Sequence, residues 1–433
     1  MGDMIKKASI VVDLGFGDGG KGSIVDSLSR LDPTIPKTIV RFNGGCQAAH
    51  NVITPEGKHH VFSQFGSGSF VKNVRTHLSR FMIIDPFAMV NEARSFQDLT
   101  DMNLYSRLTV DRDALVVTPL HKVANRLREL QRGEDKHGSC GLGIGEAVSD
   151  SLKGLAVRAK DLRNIKVLRE KIRDIHSLKK GLFGKEFVVI DQYIDKLTEE
   201  IVDVSRFFPI VSGDYLEKLA EKTNLIFEGA QGVLIDEWYG FHPYTTWSTC
   251  TFKNALTLLG EMDYQGEVIK IGVIRSYMVR HGPGPFPSEE RELKRILPQE
   301  KHNGDHPWQG EFRLGWFDIP LAKYSLEVCG GVDFLALNHL DYYRKLRFIC
   351  ESYNKKIVPK KDLTDLDYQK NLTKELFSIL PSIKTVVDQT HYTDFIESSL
   401  GYPTGILSYG PTALDKVFRE DYQKNRLAGD IRQ

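Results

Sequence analysis

The chain has 433 residues, 41% hydrophobic and 27% charged, with 37 glycines and 17 prolines, a composition that folds as a globule and excludes a disordered, collagenous or coiled-coil protein. Lys and Arg total 58 against 57 for Asp and Glu, a formal charge of +1, so no net field draws nucleic acid or a membrane surface. Five scattered cysteines make no metal or disulfide pattern; with no signal-like start and no long apolar run, the expectation is a cytoplasmic protein with reduced thiols.

Residues 8–14 are a short apolar, β-branched run closed by Gly15 and Gly17, the pattern of a buried parallel strand. Ile24, Val25, Leu28 and Leu31 then recur at helical spacing. Further strands are predicted over residues 37–42 and 80–84, a helix over 87–96, a strand over 115–118 and a helix over 121–131. Residues 138–145 are too rich in glycine for regular structure and read as a loop. From 161 to about 222 the period is helical, and strand-like runs return at 224–227, 268–274, 334–337, 347–350 and 405–407. No repeat and no linker divides the chain, so one α/β domain over residues 1–433 is predicted, with a large central, mostly parallel β-sheet flanked by helices.

The strongest local signal is the loop Gly15-Phe16-Gly17-Asp18-Gly19-Gly20-Lys21-Gly22-Ser23 between a strand and a helix. Its backbone N–H groups, the helix start and Lys21 suit an anionic phosphate. The spacing is not a Walker A, because Gly22 follows Lys21 and Ser23 comes one place late. Asp18 is the informative residue: a carboxylate beside phosphate is unfavourable unless it binds a cation or accepts a proton. The next strand ends in RFNGGCQAAHN, residues 41–51. Neighbouring parallel strands share one crevice at their carboxyl ends, which allows two readings of His50: an acid facing one ligand with Asp18 as the base, or a hydrogen-bonded structural residue.

Read in order, GDGGKG (17–22), RFNGGCQAAHN (41–51), HGSCGLGIG (137–145), FEGAQG (227–232) with Leu234 and Asp236, HGPGPFPSE (281–289), GWFD (315–318), Leu340-Asp341 and Tyr409-Gly410-Pro411 resemble the adenylosuccinate synthetase family. The resemblance implies a P-loop-related fold, usually a homodimer, in which GTP phosphorylates the 6-oxygen of IMP and aspartate displaces the phosphate. It implies that Asp18 is the base at purine N1 and a magnesium ligand together with Ala49. His50 becomes the acid at the 6-oxygen, Lys21 a phosphate contact and Gln231 the holder of the 6-oxo group. Gly17, Gly19, Gly20, Gly22, Ser139, Cys140 and Thr246 fall on phosphate and nucleotide contacts. Asp341 falls on the guanine-reading aspartate, with Gly410 and Pro411 walling the base. Mg2+ and GTP are the implied cofactor and co-substrate.

The sequence departs from the family pattern at defined places. Gly19 stands for an acidic residue, Ser23 for the last loop lysine, Cys46 and Gln47 for His and Asn, Leu142 for an Arg and His339 for a Lys. Gly154, beside Lys153, stands where an arginine crosses the dimer. Before Gly315-Trp316, the arginine run that grips aspartate keeps only Arg313, and Glu311 would repel a carboxylate. Three readings follow: the family reaction; the same chemistry on another purine monophosphate such as GMP or dGMP, or with another amino donor; and a purine-binding sensor without catalysis. Cys46, Cys140 and Cys250 read as space-filling, Trp316 as core, His59-His60 as a surface or turn feature, and residues 355–367 as a solvated loop.

Overall fold

The computed structural model describes residues 6–187, 193–300, 303–305, 307–386 and 391–419. Its centre is a ten-stranded sheet of β1 (Lys7–Asp13), β2 (Lys37–Arg41), β3 (Val74–Leu78), β4 (Leu108–Asp111), β5 (Ile210–Val211), β6 (Asn224–Glu228), β7 (Glu267–Arg275), β8 (Phe334–Asn338), β9 (Thr404–Ser408) and β10 (Lys416–Phe418). Their order across the sheet is β10-β9-β8-β7-β1-β6-β2-β3-β4-β5. Neighbours run parallel except β9 with β10. β1 lies in the middle, every residue of it buried, which is why its sequence is a continuous apolar run rather than an alternating one.

The period of two divides β1 between two cores. Ala8, Ile10 and Val12 join Phe227, Leu335 and Leu337 on one face, and Val11 joins Ile24, Val25, Ile39 and Ile271 on the other. Helix α1 (Lys21–Arg30) covers the second face. α2 (Pro86–Thr100) starts where Asp85 accepts the N–H groups of Phe87 and Ala88, with Pro86 in its first turn. α3 (Pro119–Gln131), α4 (Ile144–Leu152) and α5 (Ile165–Phe183) follow. Lys179 of α5, wholly buried, lies 2.7 Å from both Glu146 and Asp150 of α4 and ties these helices together. Among the described residues no helix is long and apolar enough to cross a membrane.

Two expectations are corrected. The sheet strand near residue 80 is Val74–Leu78, while Ile83–Ile84 is a two-residue strand beside Leu115–Val116. β3 escaped the apolar search because its interior is Arg75, Thr76 and His77, the last bonded to Thr109 at 2.9 Å. His59-His60 is neither turn nor surface feature. It opens the strand His59–Phe62, paired with His50–Ile53, and the buried His60 ring lies 4.6 Å from Phe62 and 5.1 Å from Phe96. Trp316 is buried in the core against Phe348, and Cys46 and Cys250 are buried free thiols.

Candidate active site

The register brings the carboxyl ends of β8, β7, β1, β6 and β2 to one edge. Arg275 pairs with Asn338 and Glu228 with Arg41, and Asp13 ends β1 between them. Five strands thus point their last residues into one crevice, the place where open parallel sheets bind ligands.

The loop after β1 crosses this edge. Gly20, at φ 90°, leads into α1 without any side-chain cap, so the first-turn N–H groups are open to an anion. At Gly22 a Cβ would come within 2.8 Å of His50 Cβ; the missing side chain lets the helix start abut the strand carrying the imidazole. The FEGAQG turn presses on the same loop. Gly232 has no room for a Cβ, which would fall 2.2 Å from the Gly15 carbonyl oxygen. Gln231 holds a left-handed backbone at φ 63°, a conformation costing a non-glycine residue about 1–3 kcal/mol and concentrated at functional sites. Asn43 fastens this turn to the one bearing Thr246 and Ser248, giving its amide N–H groups to the Ala230 and Thr249 carbonyls and accepting from Ala230 N–H.

Asp18 stands at the mouth of the loop, its side chain 31% exposed. Its Oδ2 accepts from Nδ1 of His281 at 2.9 Å. Burial alone would raise the Asp18 carboxyl, but the bond and charge of His281, with Arg275 and Lys21, hold it below the ordinary carboxylate range. Burial presses the His281 imidazole down, and the bond and charge of Asp18 more than reverse it. Each partner thus favours the charged form of the other. His50 is 7% exposed, with Nδ1 2.6 Å from Glu228 Oε1. Burial lowers its pKa to about 4, against the pull of Glu228. Burial would raise Glu228, yet Arg41 and His50 bring it to about 2. At neutral pH the pair is therefore a neutral histidine, Nδ1–H donating, on a carboxylate. Ser67 holds both oxygens of Glu228, its backbone N–H donating to Oε2 at 2.9 Å and its hydroxyl to Oε1, the oxygen that also faces His50.

Lys21 lies differently from a free phosphate contact. Its ammonium is 1% exposed, 3.1 Å from Asp13 and 2.7 Å from the Gly17 carbonyl. Asp13 also accepts from the N–H groups of Gly15, at 2.7 Å, and Gly19, at 2.6 Å. A carboxylate of the chain itself occupies the nest these groups form.

The second half of the crevice is built by three loops. In the loop of residues 138–145, Asn125 accepts from Ser139 hydroxyl and Gly143 N–H, setting the start of α4, with Cys140 half-buried between. Trp308 covers Gly141, where a Cβ would lie 3.3 Å away, and Arg126 stands over its ring. Arg313 is engaged within the chain. Its guanidinium makes a two-pronged bond to Glu289 and donates to the carbonyls of Gly282 and Gly284. Glu311 is paired with Lys294.

Asp341, exposed, follows β8, and Gly410 and Pro411 follow the adjacent β9. Asn338 joins this wing to the loop by donating to the Gly19 carbonyl at 2.6 Å. Ala49 is exposed immediately before His50. Asp13, Glu228, Arg275 and His281 were not singled out from sequence. Three lie in or beside a quoted motif and Arg275 follows the strand-like run 268–274, but the part of each depends on contacts with residues distant in the chain.

A family model described as adenylosuccinate synthetase matches residues 10–417. The chain is 32% identical to the adenylosuccinate synthetase of Chlorobium phaeobacteroides, covering 96% of this chain and 98% of that one. It is 33% identical to that of Herminiimonas arsenicoxydans, over 94% and 96%. Among solved structures it resembles fully ligated adenylosuccinate synthetase from Plasmodium falciparum, with TM-score 0.81, 20% identity and coverage of 95% and 99%. It also resembles the succinoaminodeoxyadenylate synthetase of cyanophage S-2L, bound to dGMP and dATP as an energy donor, with TM-score 0.60, 17% identity and coverage of 96% and 95%. The motifs, the crevice and these matches agree: the chain belongs to the adenylosuccinate synthetase family and is a carbon–nitrogen ligase.

Proposed function

We propose that the chain uses GTP to phosphorylate the 6-oxygen of a purine nucleoside monophosphate, IMP first, and exchanges that phosphate for the amino group of aspartate, giving adenylosuccinate. The observation that carries this is the crevice itself, in which an ionised Asp18 and a His50 oriented by Glu228 flank an uncapped helix start.

Asp18 takes the proton from N1, and the electron pair moves onto O6, which attacks the terminal phosphorus while the nucleoside diphosphate leaves. The amine then attacks C6, the C6–O bond breaks with its electron pair and oxygen going to inorganic phosphate, and the proton the amine gives up leaves with that phosphate as hydrogen phosphate. His50 faces the charge that builds on O6 and the phosphoryl group. Neutral in the free protein, it gains its second proton as these anions arrive. Gln231 holds the 6-oxo group, and the N–H groups of Gly17, Gly20 and Gly22 meet the phosphates, that of Gly19 being given to Asp13 instead. Ser139, Cys140 and Thr246 line the monophosphate, and Asp341, Gly410 and Pro411 the guanine.

Among the described residues no cluster of three His, Cys, Asp or Glu side chains could hold a metal. Asp18 and the Ala49 carbonyl still fit magnesium, which takes one or two protein oxygens and completes its shell with phosphate and water. Bound there, it would neutralise charge on the transferring group. Homodimer formation is part of this reading, supported by family membership.

Glu228→Gln keeps the shape and removes the charge that orients His50. Steady-state kinetics should show kcat lower by roughly a hundredfold with nucleotide KM little changed; an effect confined to KM would take His50 out of the chemistry. The engagement of Arg313 by Glu289 favours a second reading, the same chemistry with another amino donor. One assay tests both. Protein, magnesium and GTP are incubated with IMP, GMP or dGMP, with and without aspartate, following phosphate release and product mass. An adenylosuccinate product from IMP and aspartate establishes the first reading. Phosphate release without that product removes it and sends the search to other donors and acceptors.

A further inference from the structure

The phosphate loop carries less free positive charge than its residues suggest, because Lys21 is bonded to Asp13 and Ser23 stands at its second cationic place. A cation with open donors lies one strand away. Arg275 ends β7, between β1 and β8 in the sheet. Its side chain is 4% exposed. Nη2 donates to Glu300 at 2.6 Å and to Nε2 of His339 at 2.6 Å, while Nε and Nη1 have no partner among the described residues. Arg275 lines a cavity of about 20 Å3 together with Asp13, Asp18, Gly19 and Tyr277. Buried, unpaired guanidinium donors are costly, and an oxyanion relieves that cost.

Glu300 already supplies one such oxyanion. Its carboxylate rests among Arg275 Nη2, the Tyr277 hydroxyl at 2.8 Å and the Asn303 amide at 2.7 Å. This is a carboxylate cradle made by the chain for its own side chain. It also stands on a line a nucleotide must cross. The loop over β1 and the residues after β8 are joined by the Asn338 bond to Gly19, and the end of β7 lies between them. A nucleotide with its base at Asp341 and its terminal phosphate at Gly19 to Gly22 therefore passes its phosphate chain over Arg275.

We infer that Arg275 binds the polyphosphate of the donor nucleotide and that Glu300 is its intramolecular competitor, an oxyanion that the polyphosphate displaces. This rests on the nucleotide placement proposed above. Its signature is a pair of opposite effects, which a merely structural ion pair would not give.

The test is calorimetric titration of magnesium with a non-hydrolysable GTP analogue, and separately of IMP, into wild type, Arg275→Gln, Arg275→Lys and Glu300→Gln, with thermal midpoints recorded for all four. Arg275→Gln should weaken the analogue roughly ten- to a hundredfold, with Arg275→Lys between it and wild type. Glu300→Gln should tighten it several-fold, and IMP affinity should stay within twofold throughout. Weaker binding in Glu300→Gln, or unchanged binding in a folded Arg275→Gln, overturns the inference while leaving the nucleotide reading intact. A wild type that binds neither this analogue nor its ATP counterpart removes the nucleotide reading and the inference together.

Discussion

Asp18→Asn should lower kcat by about a thousandfold, measured as phosphate release with saturating nucleotides. The replacement is nearly isosteric and can still accept a hydrogen bond from His281. It cannot take the N1 proton and presents a poorer ligand to magnesium. The purine 6-oxygen is a weak nucleophile until N1 is deprotonated, so the loss falls on the chemical step. The wild-type carboxylate is already ionised at neutral pH, because His281, Arg275 and Lys21 together outweigh the burial that would neutralise it. Binding of the monophosphate should change little, since Asp18 stands at the loop mouth and not in its frame. A variant that keeps a tenth of wild-type turnover would exclude Asp18 as the base.

The largest effect on stability is expected at Lys179→Met. The ammonium is completely buried between Glu146 and Asp150, with Arg128 on the far side of Glu146 at 2.5 Å and His121 3.4 Å from Asp150. Removing one member of a buried ionic cluster leaves charge uncompensated in a poor solvent, which typically costs about 3–5 kcal/mol. The methionine fills most of the volume, so the loss is electrostatic and not a cavity. Urea unfolding should shift to a lower midpoint. Adding Asp150→Asn should recover part of the shift, because the second change removes a stranded charge. Because α4 starts in the nucleotide loop at Gly143 and Ile144, the KM for the purine monophosphate should rise as well. Unchanged unfolding in Lys179→Met would show that water reaches the cluster.

The sheet and the glycine loop were legible because both are written in local pattern. A strand buried on both faces is a continuous apolar run, and β1, β2, β6, β7, β8 and β9 all came from that signal. β3 and β4 were lost to it: Arg75, Thr76 and His77 break the run in the first, and Thr109 and Asp111 break it in the second. The candidate residues Asp18 and His50 were visible as unusual side chains in and after glycine-rich turns, Gln231 through the family resemblance alone, and the fold brings those turns to one edge. What could not be read was who holds whom. Glu228 and His50 are 178 residues apart, His281 and Asp18 are 263 apart, and no spacing rule links either pair. Arg313 shows the opposite limit, since its type suggested a carboxylate of the substrate and its neighbours supply one from Glu289.

Asp13 has a kinetic consequence. With its carboxylate against the Lys21 ammonium, the loop is electrically near neutral before any ligand approaches, and the chain as a whole carries only +1. A polyanion drifting toward the crevice therefore meets no attractive long-range field. Its capture is unsteered and little altered by salt. Selectivity among nucleotides then resides in how long each stays, through short-range contacts, and not in how fast each is gathered from solution.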